Sequence, residues 1–144
     1  MKTVHEVLAH KDNRLRRVHP DDTAYDAIRM MADHEVGALL VMVDDELKGI
    51  ISERDYARKV ILKDKGSKHT SVAEIMTQEV VAATSHDKVG DCVTKMKDHH
   101  FRHLPVIDDG VVIGMLSLRD LFSTIIEDQA STIDQMEHYI RGEV

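Results

Sequence analysis

The sequence predicts an α+β protein made of two half-sized related units, each running β-α-β-β-α. Three observations carry this. Shifting the 144-residue chain on itself by 65 positions aligns 18–61 with 83–126 without a gap, and 13 of those 44 pairs are identical, among them Met31/Met96, Leu39/Leu104, Gly49/Gly114, Ser52/Ser117, Arg54/Arg119 and Asp55/Asp120. Two copies at so long a period describe paired units sharing a core, not a solenoid. Within each copy, apolar residues at helical spacing are followed by two short apolar runs joined by an acidic turn. Finally, the length is that of one domain and 42% of the chain is hydrophobic, which suffices for one compact core.

Each element follows from its local pattern. A short strand is expected around Val18, with a counterpart over 80–83. Asp22 can cap a helix with the apolar face Ala24, Ala27, Ile28 and Met31, and the second copy repeats the spacing with Val89, Cys92, Val93 and Met96. Apolar runs follow at 38–43 and 104–107, then the turns Asp44-Asp45-Glu46 and Asp108-Asp109-Gly110, then second runs at 47–51 and 111–116. Asp109-Gly110 is the stronger hairpin signal. Ser52 and Ser117 stand where a strand gives way to a helix, with apolar positions Tyr56, Ala57, Val60, Ile61 and Leu121, Phe122, Ile125, Ile126. A weaker echo precedes each copy, Val4-His5-Glu6-Val7-Leu8 against Val72-Ala73-Glu74-Ile75-Met76. The expected divisions are 1–65 for the first repeat, 66–126 for the second and 127–144 for a C-terminal helical extension.

Composition removes several function classes. With 19 Lys+Arg against 26 Asp+Glu the net charge is −7, the wrong sign for a surface that neutralises nucleic-acid phosphates. Three Tyr, two Phe and no Trp leave no platform for stacking bases. Cys92, the single cysteine, excludes an internal disulfide framework and fits a reducing compartment. The longest apolar run, 36–43, is far short of a membrane span, and the N-terminal residues contain no hydrophobic signal core, so a cytoplasmic protein is expected.

The chemistry concentrates in Gly49-Ile50-Ile51-Ser52-Glu53-Arg54-Asp55 and its copy Gly114-Met115-Leu116-Ser117-Leu118-Arg119-Asp120. A strand ending in Ser at a helix N-terminus presents unpaired N–H groups and a positive dipole end, which attract phosphate. Arg adds a fork for phosphate oxygens. The neighbouring Asp disfavours phosphate and suits a neutral diol such as the two ribose hydroxyls. The same Ser-x-x-Asp is also a capping box, worth about 1 kcal/mol without any ligand. Arg54, Arg119, Gly49 and Gly114 exceed what a cap needs, and the residues alone leave both readings open.

The doubled Gly-h-h-Ser-x-Arg-Asp, where h is apolar, together with Leu104-Pro105-Val106-Ile107-Asp108 and Val72-Ala73-Glu74-Ile75-Met76-Thr77, resembles a tandem pair of cystathionine-beta-synthase-type (CBS) domains from about Val4 to Ile126. The resemblance implies two pseudo-twofold-related units whose sheets pack face to face with helices outside, and two clefts between the halves. It implies a non-catalytic regulatory module for an adenosine-containing ligand, AMP, ADP or ATP first, with NAD(H) or S-adenosylmethionine as alternatives and no required cofactor. Carried over by residue, Asp55 and Asp120 become ribose ligands, Ser52, Arg54, Ser117 and Arg119 lie near phosphate or ribose, and Ile50 and Met115 line the adenine slot. Arg102 and His103 are similar to a basic pair that reaches the phosphates. Gly37, the first-copy counterpart of Arg102, is uncharged, so the clefts are expected to differ. Asp120, Arg102 and His103, with Gly37 near the base, would take the more highly charged ligand. Asp55, drawing on Thr77 and Val81, would bind more weakly or stay empty.

Other features weigh less. His99, His100 and His103 straddle a helix end and a strand start and are read as solvated or packed, not as metal ligands. Arg14, Arg16 and Arg17 read as a surface loop, and Cys92 as a core residue. Phe122, Ile126, Gln129, Ile133, Met136 and Ile140 alternate by four and three, an apolar seam that predicts a homodimer. Without an effector domain, output is expected through an unidentified partner protein or the oligomeric state, and a ligand-free dimerisation scaffold is the competing interpretation. No membrane or nucleic-acid partner is expected.

Overall fold

The computed structural model describes residues 2–142. In chain order the main elements are α1 (Val4–Leu8), β1 (Arg17–Val18), α2 (Ala24–His34), β2 (Ala38–Val43), β3 (Glu46–Ser52), α3 (Glu53–Tyr56), α4 (Val72–Ile75), α5 (Val89–His99), β4 (His103–Asp108), β5 (Val111–Ser117) and α6 (Leu118–Ile140). This is an α+β fold with one three-stranded and one two-stranded sheet.

Two compact units arise, and their composition cuts across the order of the repeats. One gathers the described residues up to 13, 82–108 and those from 114 onward; the other gathers 14–81 with 109–113. The short leader helix before each copy joins the other copy. In the first-copy unit, α4 is held by Val72 N–H on Asp22 O at 2.8 Å and by Ala24 N–H on Thr70 O at 2.8 Å. In the second-copy unit, α1 is held in the same manner by Val4 N–H on Asp87 O at 2.8 Å and Val89 N–H on Lys2 O at 3.1 Å. Two of α4's residues (Val72, Ile75) and three of α1's (Val4, Val7, Leu8) are buried, so each leader closes a core that its neighbour would leave open.

In the first-copy unit, β1 runs parallel to β2, and β2 pairs antiparallel with β3, bulged between Val41 and Met42. Helix α2 buries Ala24, Ala27 and Met31 against Val18, Leu39, Val41 and Ile51. Its N-cap is Thr23, which exchanges capping-box bonds with Asp26; Asp22, the expected cap, instead accepts from His19 N–H. The reciprocal Thr23–Asp26 pair satisfies two backbone donors at once, which a lone Asp22 could not. In the second-copy unit, α5 buries Val89, Cys92 and Met96, but its N-cap, Lys88, provides no side-chain bond. The expected strand over 80–83 is reduced to one parallel bridge, Ala83 to Val106. The Asp109-Gly110 turn has both φ angles positive, 49° and 79°, as a primed hairpin turn requires.

The closing helices differ most. After Ser52, α3 lasts four residues and passes into a π-helix over Ala57–Ile61, where Val60 alone is buried and Ile61 faces solvent. After Ser117, α6 continues unbroken for 23 residues, so 126 and 127 lie within one helix. It buries Leu121 and Thr124, while Phe122 and Ile126, the first two residues of the apolar seam read from the sequence, are exposed. The buried positions are three apart and the exposed apolar ones lie on a different stripe of the same helix.

Candidate functional site

Both duplicated motifs form capping boxes. In the first-copy unit, Asp55 N–H donates to Ser52 Oγ at 3.2 Å, and Asp55 Oδ2 accepts from Ser52 N–H at 2.9 Å and Ser52 Oγ at 3.0 Å. The other oxygen is occupied too: Oδ1 accepts from Thr77 Oγ1 at 3.1 Å and pairs with Lys59 Nζ at 3.1 Å. Thr77 is fixed by backbone, since its N–H donates to Ile50 O at 2.8 Å and Ile50 N–H returns a bond to Thr77 O at 3.0 Å. Only 12% of the Asp55 side chain is exposed. Gly49 makes this closure possible, because a Cβ there would stand 2.6 Å from Thr77 O. Gly37 sits at the same corner, its carbonyl accepting from Glu53 N–H at 3.0 Å, and Val81 is half-buried further along the chain.

In the second-copy unit the box is the same but its closure is not. Asp120 N–H donates to Ser117 Oγ at 3.1 Å, and Asp120 Oδ2 accepts from Ser117 N–H at 2.8 Å. A lysine from the N-terminal segment completes the site. Lys11 Nζ donates at 2.7 Å to Asp120 Oδ2 and at 2.7 Å to Met115 O. Lys11 and the Ser117 N–H both meet Oδ2, the Ser117 hydroxyl also bonds the carboxylate, and 25% of the Asp120 side chain is exposed. Gly114 meets the Leu8 side chain at 3.1 Å instead of backbone. Arg102 O accepts from Leu118 N–H at 2.8 Å, as Gly37 O does for Glu53, while the Arg102 side chain is exposed.

Charge in this second site is tuned. Burial alone would raise the Asp120 pKa, but the Lys11 ammonium and the Ser117 N–H and hydroxyl outweigh it and hold the carboxyl below its ordinary 3.8. His103, half-buried at the start of β4, is pushed down to about 4 by burial; the Asp120 carboxylate opposes this shift and the Lys11 and Arg102 charges reinforce it. At neutral pH the site therefore holds a carboxylate, an ammonium and a neutral imidazole.

The structure thus brings Ser52, Asp55, Ile50, Thr77 and Gly37 together in one unit, and Ser117, Asp120, Met115 and His103 in the other. Arg54 and Arg119 lie on exposed faces beside their boxes. Lys11 and Lys59 were not among the expected site residues. Lys59 stands four residues after Asp55, an ordinary helical ion-pair spacing that the sequence displays. Lys11 is 109 residues from Asp120 and no local pattern announces it. His99 stacks on Phe101 with ring centres 5.9 Å apart, and among the described residues no group of three or more His, Cys, Asp or Glu side chains is placed to hold a metal ion. Burial raises the Cys92 thiol to about 11, the state of a core residue and not of a nucleophile.

The family profile of the CBS domain matches twice, at residues 11–62 and 72–127. The chain is a CBS-domain protein. Modules of the CBS family are in general regulatory and non-catalytic. Against the mitochondrial CBS domain-containing protein CBSX3 of Arabidopsis thaliana the chain is 41% identical over 127 residues, 85% of this chain and 62% of the plant protein, so it spans less than two thirds of that relative. A putative signal-transduction protein with CBS domains from Burkholderia ambifaria superposes with a TM-score of 0.86 at 43% identity, over 89% of this chain and 96% of that one. The CBS domain pair of protein MJ0100, solved in complex with 5′-methylthioadenosine and S-adenosyl-L-methionine, superposes with a TM-score of 0.78 over 90% of this chain and 98% of that one; at 23% identity it speaks for the CBS-pair fold alone. Among the described residues no helix is long and apolar enough to cross a membrane.

Proposed function

We propose that the chain senses an adenosine-containing ligand, AMP, ADP or ATP, at the Asp120 site and passes occupancy to a partner protein or to its own oligomeric state. The observation that carries this reading is the second-copy box itself. Asp120 is held ionised, and the ammonium that covers it is carried by a flexible side chain, unlike the Thr77 hydroxyl on Asp55, which a backbone bridge fixes. Asp120 takes the ribose hydroxyls, Met115 lines the base, and Ser117, Arg119, Arg102 and His103 face the phosphates. Ser52, Arg54, Asp55, Ile50, Thr77 and Val81 form a weaker or empty counterpart, because both Asp55 oxygens are already engaged. The ligands of MJ0100 support the adenosine class and keep S-adenosylmethionine, beside NAD, as the second reading.

We further infer a homodimer built on α6, whose Phe122, Ile126, Ile133, Met136 and Ile140 are all exposed. Sedimentation at micromolar concentration is expected to give the dimer mass for the native chain and the monomer mass for Ile133→Asp; a native monomer contradicts it. The lone buried Cys92 supports a reducing compartment, the cytoplasm.

A thermal-shift screen with AMP, ADP, ATP, NAD, NADH and S-adenosylmethionine tests the main reading. A ligand at 100 times its dissociation constant adds about 2.7 kcal/mol, a rise of several degrees. No shift with any of them leaves the capping boxes as mere helix starts and the module as a ligand-free scaffold.

A further inference from the structure

Two acceptors recur at equivalent places in the two copies: the carbonyl two residues before the capping serine, Ile50 O or Met115 O, and the carboxylate, Asp55 or Asp120. In the first copy both are filled by Thr77, whose N–H takes Ile50 O and whose hydroxyl takes Asp55 Oδ1. In the second copy both are filled by one Lys11 ammonium, 2.7 Å from each. Lifting Thr77 means breaking its pair of backbone hydrogen bonds to Ile50. Lifting Lys11 breaks its two ammonium bonds and no backbone pairing, by rotation of a flexible, partly exposed side chain, 28% accessible.

We propose that Lys11 is a displaceable latch on the Asp120 site: a ligand diol replaces its ammonium on Asp120, and the released ammonium pairs with the ligand's anionic group. The proposal rests on the reading that Asp120 holds ribose. Its consequence is charge selection. Lys11 loses a carboxylate partner when the ligand enters, and only a ligand that brings its own anion restores one. A neutral nucleoside leaves the ammonium unpaired, and a cationic one also repels it. The ammonium already shares Asp120 Oδ2 with the Ser117 N–H, so a diol that takes both carboxylate oxygens displaces it.

Isothermal titration of the full chain with AMP and adenosine, native and Lys11→Met, tests this. Methionine keeps the apolar stem and removes the charge. The native chain is expected to prefer AMP by more than about tenfold, and Lys11→Met to weaken AMP by about tenfold while adenosine binds unchanged or several-fold tighter. Lys11→Arg restores the AMP preference, which a merely structural role for Lys11 would not require. Equal losses for both ligands in Lys11→Met, in a variant whose unfolding temperature shows it folded, overturn the latch and leave the Asp120 reading standing. If the native chain binds neither ligand, the Asp120 reading itself fails and the latch with it.

Discussion

The first and second copies share glycine, serine, arginine and aspartate at matching positions, yet they close around the aspartate by different means. Around Asp55 the closure is anchored by main chain: Thr77, whose hydroxyl meets the carboxylate beside Lys59, lies in a two-bond backbone bridge with Ile50, pressed so near Gly49 that no Cβ fits between. Around Asp120 it is made of side chains, Lys11 over the carboxylate and Leu8 over Gly114. Identical motifs therefore have different chemical availability. Asp55 has both oxygens engaged, one of them by a hydroxyl that backbone holds in place, whereas Asp120 is covered by a lysine side chain that can exchange partners. The difference lies outside the motif, in the leader segments: the register of the echo that aligns Val4 with Val72 sets Ala9 against Thr77 and Glu79 against Lys11.

The largest expected effect comes from the paired glycines. Gly49→Ala drives a methyl into Thr77 O and should destabilise by about 3 kcal/mol, while Gly114→Ala meets only the movable end of Leu8 and should cost under about 1 kcal/mol. Denaturant unfolding of both variants checks it; equal losses would mean the two closures are equally rigid. A smaller effect follows from His103, whose first-copy counterpart is Ala38. Its folded pKa of about 4 lies below the ordinary 6.5, so between those values the unfolded chain takes up a proton that the folded chain refuses. Stability is complete above about pH 6.5 and falls as pH drops towards 4, by roughly 2 kcal/mol once solvent exposure is allowed for. Asp120, also lowered, adds its loss only below its ordinary 3.8. His103→Gln should flatten the limb between pH 6.5 and 4; an unchanged limb there would assign it to other groups.

The sequence made legible what depends on local period and on the repeat. Helices α2 and α5, the two hairpins, the buried triplets Ala24, Ala27, Met31 and Val89, Cys92, Met96, and the serine-to-helix junctions all follow from spacing that one segment carries by itself. What escaped depends on distant partners. Thr23 displaced Asp22 as a cap because its reciprocal bond with Asp26 is the better use of both residues. The strand before the second copy dwindled to a single bridge. The leaders' exchange between copies left only a faint echo in the chain, and with it came Lys11, whose place on Asp120 no window of sequence contains. Sequence spacing grouped Leu121 with Phe122 and Ile126, yet the helix bears two apolar stripes, and of these Leu121 is buried with Thr124 while Phe122 and Ile126 lie on the exposed seam.

The most direct test of this account is the affinity for AMP, by isothermal titration, of Asp120→Asn beside Asp55→Asn, both of which keep a side chain able to cap. The asymmetric closure predicts that Asp120→Asn loses on the order of 100-fold and Asp55→Asn less than about threefold, with one AMP bound per chain. Equal losses, or a greater loss at Asp55, would contradict it.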